Sequence, residues 1–168
     1  ALQAGGPDEL TLHEVPVPDP AAGELLVEAA AIGVNFIETY QRSGVYPVSF
    51  PFTPGAEASG TVVAVGDGVS GFVPGDRVTT SEARSSYAEL FLVEAGRAVR
   101  VPDAVDLDTA GALPLQGLTA HYLATSAARV QAGDTVLVHA GAGGVGLLLT
   151  QLLVARGVRV LTTASKIG

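Results

Sequence analysis

The sequence predicts an α/β protein in which a β-rich first part gives way, near residue 118, to a strand–helix–strand unit. Three observations carry this. From residue 1 to about 118 the apolar segments are short and punctuated by Gly and Pro, the pattern of a barrel or sandwich rather than a parallel sheet. From about Asp108 the hydrophobic period lengthens to that of a helix. Finally, Val136-Leu-Val-His-Ala-Gly-Ala-Gly-Gly-Val-Gly146 reads as a strand running directly into a glycine-rich turn.

In chain order, strands are expected at 24–31, 58–65, 76–80, 87–93 and 98–101. They are separated by the turn words Asp67-Gly68, Pro74-Gly75-Asp76 and Pro102-Asp103. One short helix interrupts them. Asn35 is its N-cap, Glu38 stands at N3 to complete an Asn variant of the capping box, and Gly44 lies just past its end. Residues 109–113 and 116–129 read as helical, with Pro114 breaking them apart. After the strand at 136 a helix is expected over 144–156. Val145, Leu148, Leu149, Leu152 and Leu153 form its apolar stripe, widened by Leu147 and Val154, and Gly157 ends it. A second apolar strand follows at 158–163.

Gly141, Gly143 and Gly146 fall at G-x-G-x-x-G spacing. With 21 glycines in 168 residues the spacing alone is weak, but here it closes a strand and opens a helix, the context that gives it meaning. In that context the first glycine permits the tight turn and the second lets backbone approach a pyrophosphate. The third brings helix against strand, leaving the N–H groups of Gly144, Val145 and Gly146 aimed at phosphate. A dinucleotide is the expected ligand; the alternative is an ordinary strand–helix turn. Two parallel strands and one helix are about a third of a doubly wound sheet, and two strands cannot cover both faces of a parallel sheet. The 168 residues are therefore expected to be part of a longer polypeptide, with Lys166-Ile167-Gly168 outside the strand pattern.

Composition narrows the partners. Nine Lys+Arg against 17 Asp+Glu give a net charge of −8, which argues against nucleic acid or an anionic membrane, since both favour a basic face. A phosphate-bearing cofactor remains compatible, because backbone amides and a helix terminus can bind it. The absence of cysteine excludes disulfides, Cys-ligated zinc and thiolate catalysis. With neither a signal-peptide pattern nor an apolar run of about 18 residues, a cytoplasmic location is expected.

The order of these parts, with the words Ile32-Gly-Val-Asn-Phe-Ile-Glu-Thr-Tyr-Gln-Arg-Ser-Gly-Val-Tyr46, Pro54-Gly-Ala-Glu-Ala-Ser-Gly60 and Leu115-Gln-Gly-Leu-Thr-Ala-His-Tyr122, resembles the medium-chain dehydrogenase/reductase superfamily. Within it, the chain looks like the zinc-free, zeta-crystallin-like quinone oxidoreductases, from its first residues to about Ser165. The resemblance implies a GroES-like β-barrel catalytic domain over residues 1–118. It implies the start of a Rossmann domain, the first βαβ part of an NADP-binding fold, over 119–168, with cofactor and substrate between the two. Most of the family's first strand, its later Rossmann strands and its C-terminal return to the catalytic domain have no counterpart here. NADPH would be the hydride donor and quinones or other conjugated carbonyls the acceptors; a homodimer is expected on the same ground.

Zinc-dependent members of the superfamily carry Gly-His-Glu where this chain has Gly55-Ala56-Glu57. A catalytic zinc needs three protein ligands. His13 on a surface strand, His121 in a helix and His139 at a strand end read as structural, so no metal is expected. Hydride transfer then depends on alignment and on hydrogen bonds to the acceptor oxygen. By resemblance, Asn35 and Tyr40 lie near nicotinamide and substrate as donors, and Tyr46 lines the same pocket, stacking on a flat ring. Thr119 contacts the nicotinamide carboxamide or ribose, with Gln116 a weaker candidate. Each has a plain structural alternative: Asn35 as helix cap, Tyr40 packed on Phe36, Thr119 bonded to its own helix backbone. Arg42 reads as a surface charge and Glu57 as a buried, paired one. After the second strand, Thr162-Thr163-Ala164-Ser165-Lys166 contains no acid to hold a ribose 2′-hydroxyl or repel a 2′-phosphate, so Ser165 and its neighbours favour NADPH over NADH. The alternatives in function are an NADPH-dependent enone or enoyl reductase and a noncatalytic NADPH-binding protein.

Overall fold

The computed structural model describes residues 1–165. The chain divides into two compact units after Pro114, four residues ahead of the boundary expected at 118.

In the first unit, β1 (Glu24–Ile32), β2 (Ala58–Val65), β3 (Arg77–Thr80), β4 (Leu90–Glu94) and β5 (Val99–Arg100) form an antiparallel sheet in the order β4-β1-β2-β3-β5. Alternation sets the core. Leu25 and Val27 of β1 face inward with Val62 of β2, Val78 of β3 and Phe91 and Val93 of β4. Two register shifts in β1, at Leu26/Val27 and Ala29/Ala31, interrupt its pairing with β2. Between β1 and β2 the chain makes α1 (Phe36–Arg42).

A third segment, α2 (Leu107–Gly111), packs on β1, β2 and β3. Hydroxyls dock it: Ser59 donates to the Leu107 carbonyl at 2.5 Å and Thr79 to the Ala110 carbonyl at 2.6 Å. Gly111 permits the approach, since a Cβ there would lie 2.9 Å from that of Ala31.

In the second unit, α3 (Pro114–Tyr122) and a π turn at Leu123–Ala127 lead to β6 (Thr135–Val138), α4 (Gly144–Ala155) and β7 (Arg159–Thr162). β6 and β7 pair in parallel, and Ala124, Val130, Val138, Leu153 and Val158 make the core between helix and strands. Gly157, at φ +77°, ends α4 as expected. Leu152 of the expected stripe is exposed, as are Leu147 and Val154, which the sequence added to it.

Several expected elements move, for identifiable reasons. The strand expected at 87–93 begins only at Leu90. Its first residues are drawn elsewhere, with Ser86 N–H donating to Gly55 O at 3.1 Å and Tyr87 N–H to Pro54 O at 3.0 Å. The strand expected at 98–101 shrinks to two residues because Ala95–Arg97 form a 3-10 turn. α2 starts earlier than expected because Asp106 caps it, accepting from Thr109 N–H at 2.6 Å. Pro114 does not separate helices by breaking one. It opens α3, where its missing N–H is not needed. The helix expected over 116–129 ends at Tyr122, and Arg129 sits at φ +46°. Pro7–Glu9, unanticipated, form another 3-10 turn. His13 lies in an extended segment outside any strand, with its Nε2 2.7 Å from the Thr11 hydroxyl.

Phe91 is the largest of the fully buried side chains in the first unit. Phe91→Ala is expected to destabilise that unit by about 3–5 kcal/mol, read as a lower urea midpoint with an unchanged slope.

Candidate functional site

The residues singled out by sequence fall in two places, one in each unit. In the first unit they gather on α1 and the segment after it. Gly44, at φ +81°, turns the chain back so that Tyr46 N–H donates to the Tyr40 carbonyl at 3.0 Å. The Tyr40 and Tyr46 rings then stand 5.4 Å apart, and Phe36 lies 6.4 Å from Tyr40 one turn earlier. Tyr40 is 42% exposed, Tyr46 49% and Phe36 79%. Tyr40 does contact Phe36, but neither is buried by the contact, so the aromatic face stays open.

Beneath this face lies a polar network. The backbone N–H of Asn35 donates to Glu38 Oε2 at 2.6 Å, and the Tyr87 hydroxyl donates to the same oxygen at 2.9 Å. The Asn35 side-chain amide donates to Glu57 Oε2 at 2.8 Å. Glu57 is 1% exposed and Glu38 5%, and the Ser86 hydroxyl donates to the Glu57 carbonyl at 3.3 Å. Gly33 is packed so tightly on Glu57 that any Cβ would overlap the carboxylate. The Glu57 carboxylate is buried, as expected from sequence, and accepts from the Asn35 amide. Arg42, read as a surface charge, is half-buried: its Nε donates to the Gly5 carbonyl at 3.3 Å, and Gly5 N–H returns a bond to the Arg42 carbonyl at 2.9 Å.

Tyr87 was not picked out by sequence. Burial, followed by the hydrogen bond to Glu38 and its charge, raises its hydroxyl pKa far above the ordinary tyrosine value. The only sequence signal was a tyrosine beginning an expected strand.

In the second unit the glycine-rich turn joins β6 to α4. Ala140, not a glycine, takes the left-handed conformation, at φ +53°, while Gly141, Gly143, Gly144 and Gly146 do not. Gly141 is required for a different reason than the tight turn expected of it: a Cβ there would lie 2.5 Å from that of Thr162 on β7. At Gly146 a Cβ would meet the Ala140 carbonyl and stand 2.7 Å from Gly141 Cα, so this glycine packs against the turn itself. Gly144 lies against the Gln116 amide of α3, placing Gln116 beside the helix N-terminus. Gly143 caps α4 without a side-chain hydrogen bond, and Val145 is half-buried behind it. The first-turn N–H groups of a helix have no intrahelical partners, so the turn offers donors, with the Gln116 side chain lying against Gly144.

Thr163 holds this turn. Its hydroxyl accepts from Ala140 N–H at 3.2 Å and lies 3.3 Å from His139 Nδ1, while its carbonyl accepts from Gly141 N–H at 2.9 Å. Thr119 donates its hydroxyl to the Leu115 carbonyl at 2.7 Å, leaving that oxygen as an acceptor. Ser165 is exposed beyond β7, and Lys166 lies outside the described residues. Among the described residues no group of three or more His, Cys, Asp and Glu is arranged to hold a metal ion.

Comparison with known proteins places this arrangement. The profile of the alcohol dehydrogenase GroES-like domain matches residues 21–132. The chain belongs to that family. It is 47% identical over 150 residues to a probable quinone oxidoreductase of Schizosaccharomyces pombe, covering 89% of this chain and 46% of that one. It superposes on a mycobacterial protein complexed with NADPH at TM-score 0.95 and 51% identity, covering 98% of this chain and 52% of the other. Against the Escherichia coli quinone oxidoreductase complexed with NADPH the TM-score is 0.94 at 40% identity, covering 98% and 51%. The chain thus spans about half the length of the relatives it matches. The expected resemblance to quinone oxidoreductases of the medium-chain superfamily is borne out, as is the fold class: a GroES-like β unit followed by the start of a Rossmann fold.

The raised Tyr87 pKa has a measurable consequence. Above about pH 10 an unfolded tyrosine loses its proton, whereas folded Tyr87 keeps its own. The unfolded state then binds fewer protons, so folding stability falls as pH rises through that window. Denaturant melts between pH 9 and 11 are expected to show this slope, and Tyr87→Phe to remove Tyr87's share of it.

Proposed function

We propose that the complete polypeptide carrying this sequence reduces quinones with NADPH, without zinc. One observation carries the reading: the half-exposed Tyr40–Tyr46 pair, rings 5.4 Å apart, in a chain 40% identical to a quinone oxidoreductase complexed with NADPH. Residues 1–118 would be the catalytic domain and 119–168 the first part of the cofactor domain.

The glycine-rich turn fits a pyrophosphate. Gly143 puts no side chain of its own at the N-terminus of α4, where Gln116 lies against Gly144 and Val145 and its neighbours present N–H donors. Thr162, Thr163, Ala164 and Ser165 set no carboxylate after β7 to repel a 2′-phosphate. When bound, NADPH supplies the hydride. Thr119, its hydroxyl hydrogen engaged by Leu115, would accept from the carboxamide or ribose. Asn35 and Tyr40 would orient the reacting groups, with the Tyr40 hydroxyl donating to the acceptor oxygen as charge develops there. Tyr46 would stack on the flat ring of the substrate. A catalytic zinc has no support in the donor set, since Ala56 stands at the histidine position and cysteine is absent. A homodimer and a cytoplasmic location complete the proposal, checked by sedimentation and by cell fractionation.

In fluorescence titrations the complete polypeptide is expected to bind NADPH more tightly than NADH. It should oxidise NADPH with 1,4-benzoquinone or 9,10-phenanthrenequinone at a rate that a chelator leaves unchanged; binding without turnover would refute the reading. Tyr40→Phe should lower kcat by roughly tenfold or more, with NADPH affinity changed far less.

A further inference from the structure

Two buried carboxylates meet at one residue, Asn35. Glu38 takes its backbone N–H at 2.6 Å and Glu57 takes its side-chain Nδ2 at 2.8 Å. Burying a carboxylate is costly unless donors surround it. Glu38 nonetheless keeps one oxygen, Oε1, buried with no hydrogen-bond partner, while Oε2 serves both Asn35 and Tyr87. The bond from Asn35 N–H to Glu38 belongs to the capping box of α1, but the bond from its Nδ2 to Glu57, 22 positions away, is no part of a cap.

Chemistry gives the arrangement a consequence. An ionised carboxylate only accepts, so the Asn35 atom facing Glu57 must be nitrogen. The amide cannot be turned over without setting its oxygen against a buried anion. We propose that Glu57 is a positioning residue that fixes the orientation of the Asn35 amide, with Glu38 and Tyr87 fixing the backbone beneath it. Oδ1 already faces the Glu38 backbone N–H in the capping box, so Asn35 offers a bound molecule its second amide hydrogen and the remaining lone pair of Oδ1. It selects a group that carries N–H or O–H, such as a carboxamide or a sugar hydroxyl. The donor role expected of Asn35 from sequence falls to that second hydrogen, because the first is committed to Glu57.

The inference rests on the reading that Asn35 lies in the site, and a double-mutant cycle separates the two. The variants Asn35→Ala, Glu57→Gln and their combination are made in the complete polypeptide. NADPH dissociation constants come from fluorescence titration, kcat from quinone turnover at saturating NADPH, and folding from thermal midpoints. A glutamine at 57 can present either oxygen or nitrogen, so it keeps the shape but no longer dictates the amide orientation. Glu57→Gln is expected to weaken NADPH binding or lower kcat by about tenfold in the wild-type background, and by less than about twofold when Asn35 is already alanine. An equal loss in both backgrounds, or none in either, overturns the positioning role while leaving the proposed activity standing. If Asn35→Ala changes neither quantity, Asn35 is outside the site, and its assignment there fails along with this inference. Should Glu57→Gln lower the thermal midpoint enough to deplete the folded protein, Tyr87→Phe takes its place. It removes one donor from Glu38 and is expected to show the same dependence on Asn35; independence from Asn35 overturns the proposal.

Discussion

A carboxylate held at 1% exposure has few ways to exist, and Glu57 dictates much of the first unit by needing them. Its side chain occupies the space a Cβ at position 33 would take, so the end of β1 must be glycine. Asn35 must follow two residues later to reach it at 2.8 Å, which sets where α1 begins. The Ser86 hydroxyl on the Glu57 carbonyl, and Tyr87 reaching Glu38 from the same segment, hold the stretch before β4 against the 54–57 loop instead of extending the strand. Sheet, helix and loop are thus fixed by the demands of charge out of water, and the aromatic face of α1 stands on this base.

In the second unit the controlling constraint is space. A parallel strand pair with a helix laid across it allows close approach only where side chains are missing. Gly141 against Thr162, Gly146 against the Ala140 carbonyl and Gly144 against Gln116 each mark such a contact. Of the first three residues of α4 only Gly144 is exposed, while Val145 is half-buried and Gly146 buried.

Short apolar segments punctuated by Gly and Pro made the β-rich first part legible. The β2 span was read correctly at both ends because turn residues bound it. Glycine spacing at 141–146 likewise exposed the strand–helix junction. What stayed hidden depended on contacts distant in sequence. Nothing local to Tyr87 indicates that its hydroxyl meets Glu38, 49 positions earlier, or that this tie shortens β4. The Glu57–Asn35 contact spans 22 positions, and only the burial of Glu57 could be inferred beforehand. Pro114 does mark the break between α2 and α3, but as the first residue of α3 rather than a residue ahead of it. The spacing motif placed the glycines, yet it could not say that Ala140 would carry the left-handed residue.

Thr163 gives this last detail its meaning. A residue with a Cβ at positive φ is held in a sparsely populated conformation, and here one threonine anchors it through its hydroxyl and carbonyl together. The glycine-rich turn is thereby shaped while the protein folds, by its own neighbouring strand. A phosphate at the N-terminus of α4 would meet donors already set in place, and little of its binding free energy would be diverted to ordering the chain. In such a turn, affinity is governed by the rigidity of the backbone as much as by any side chain that touches the ligand.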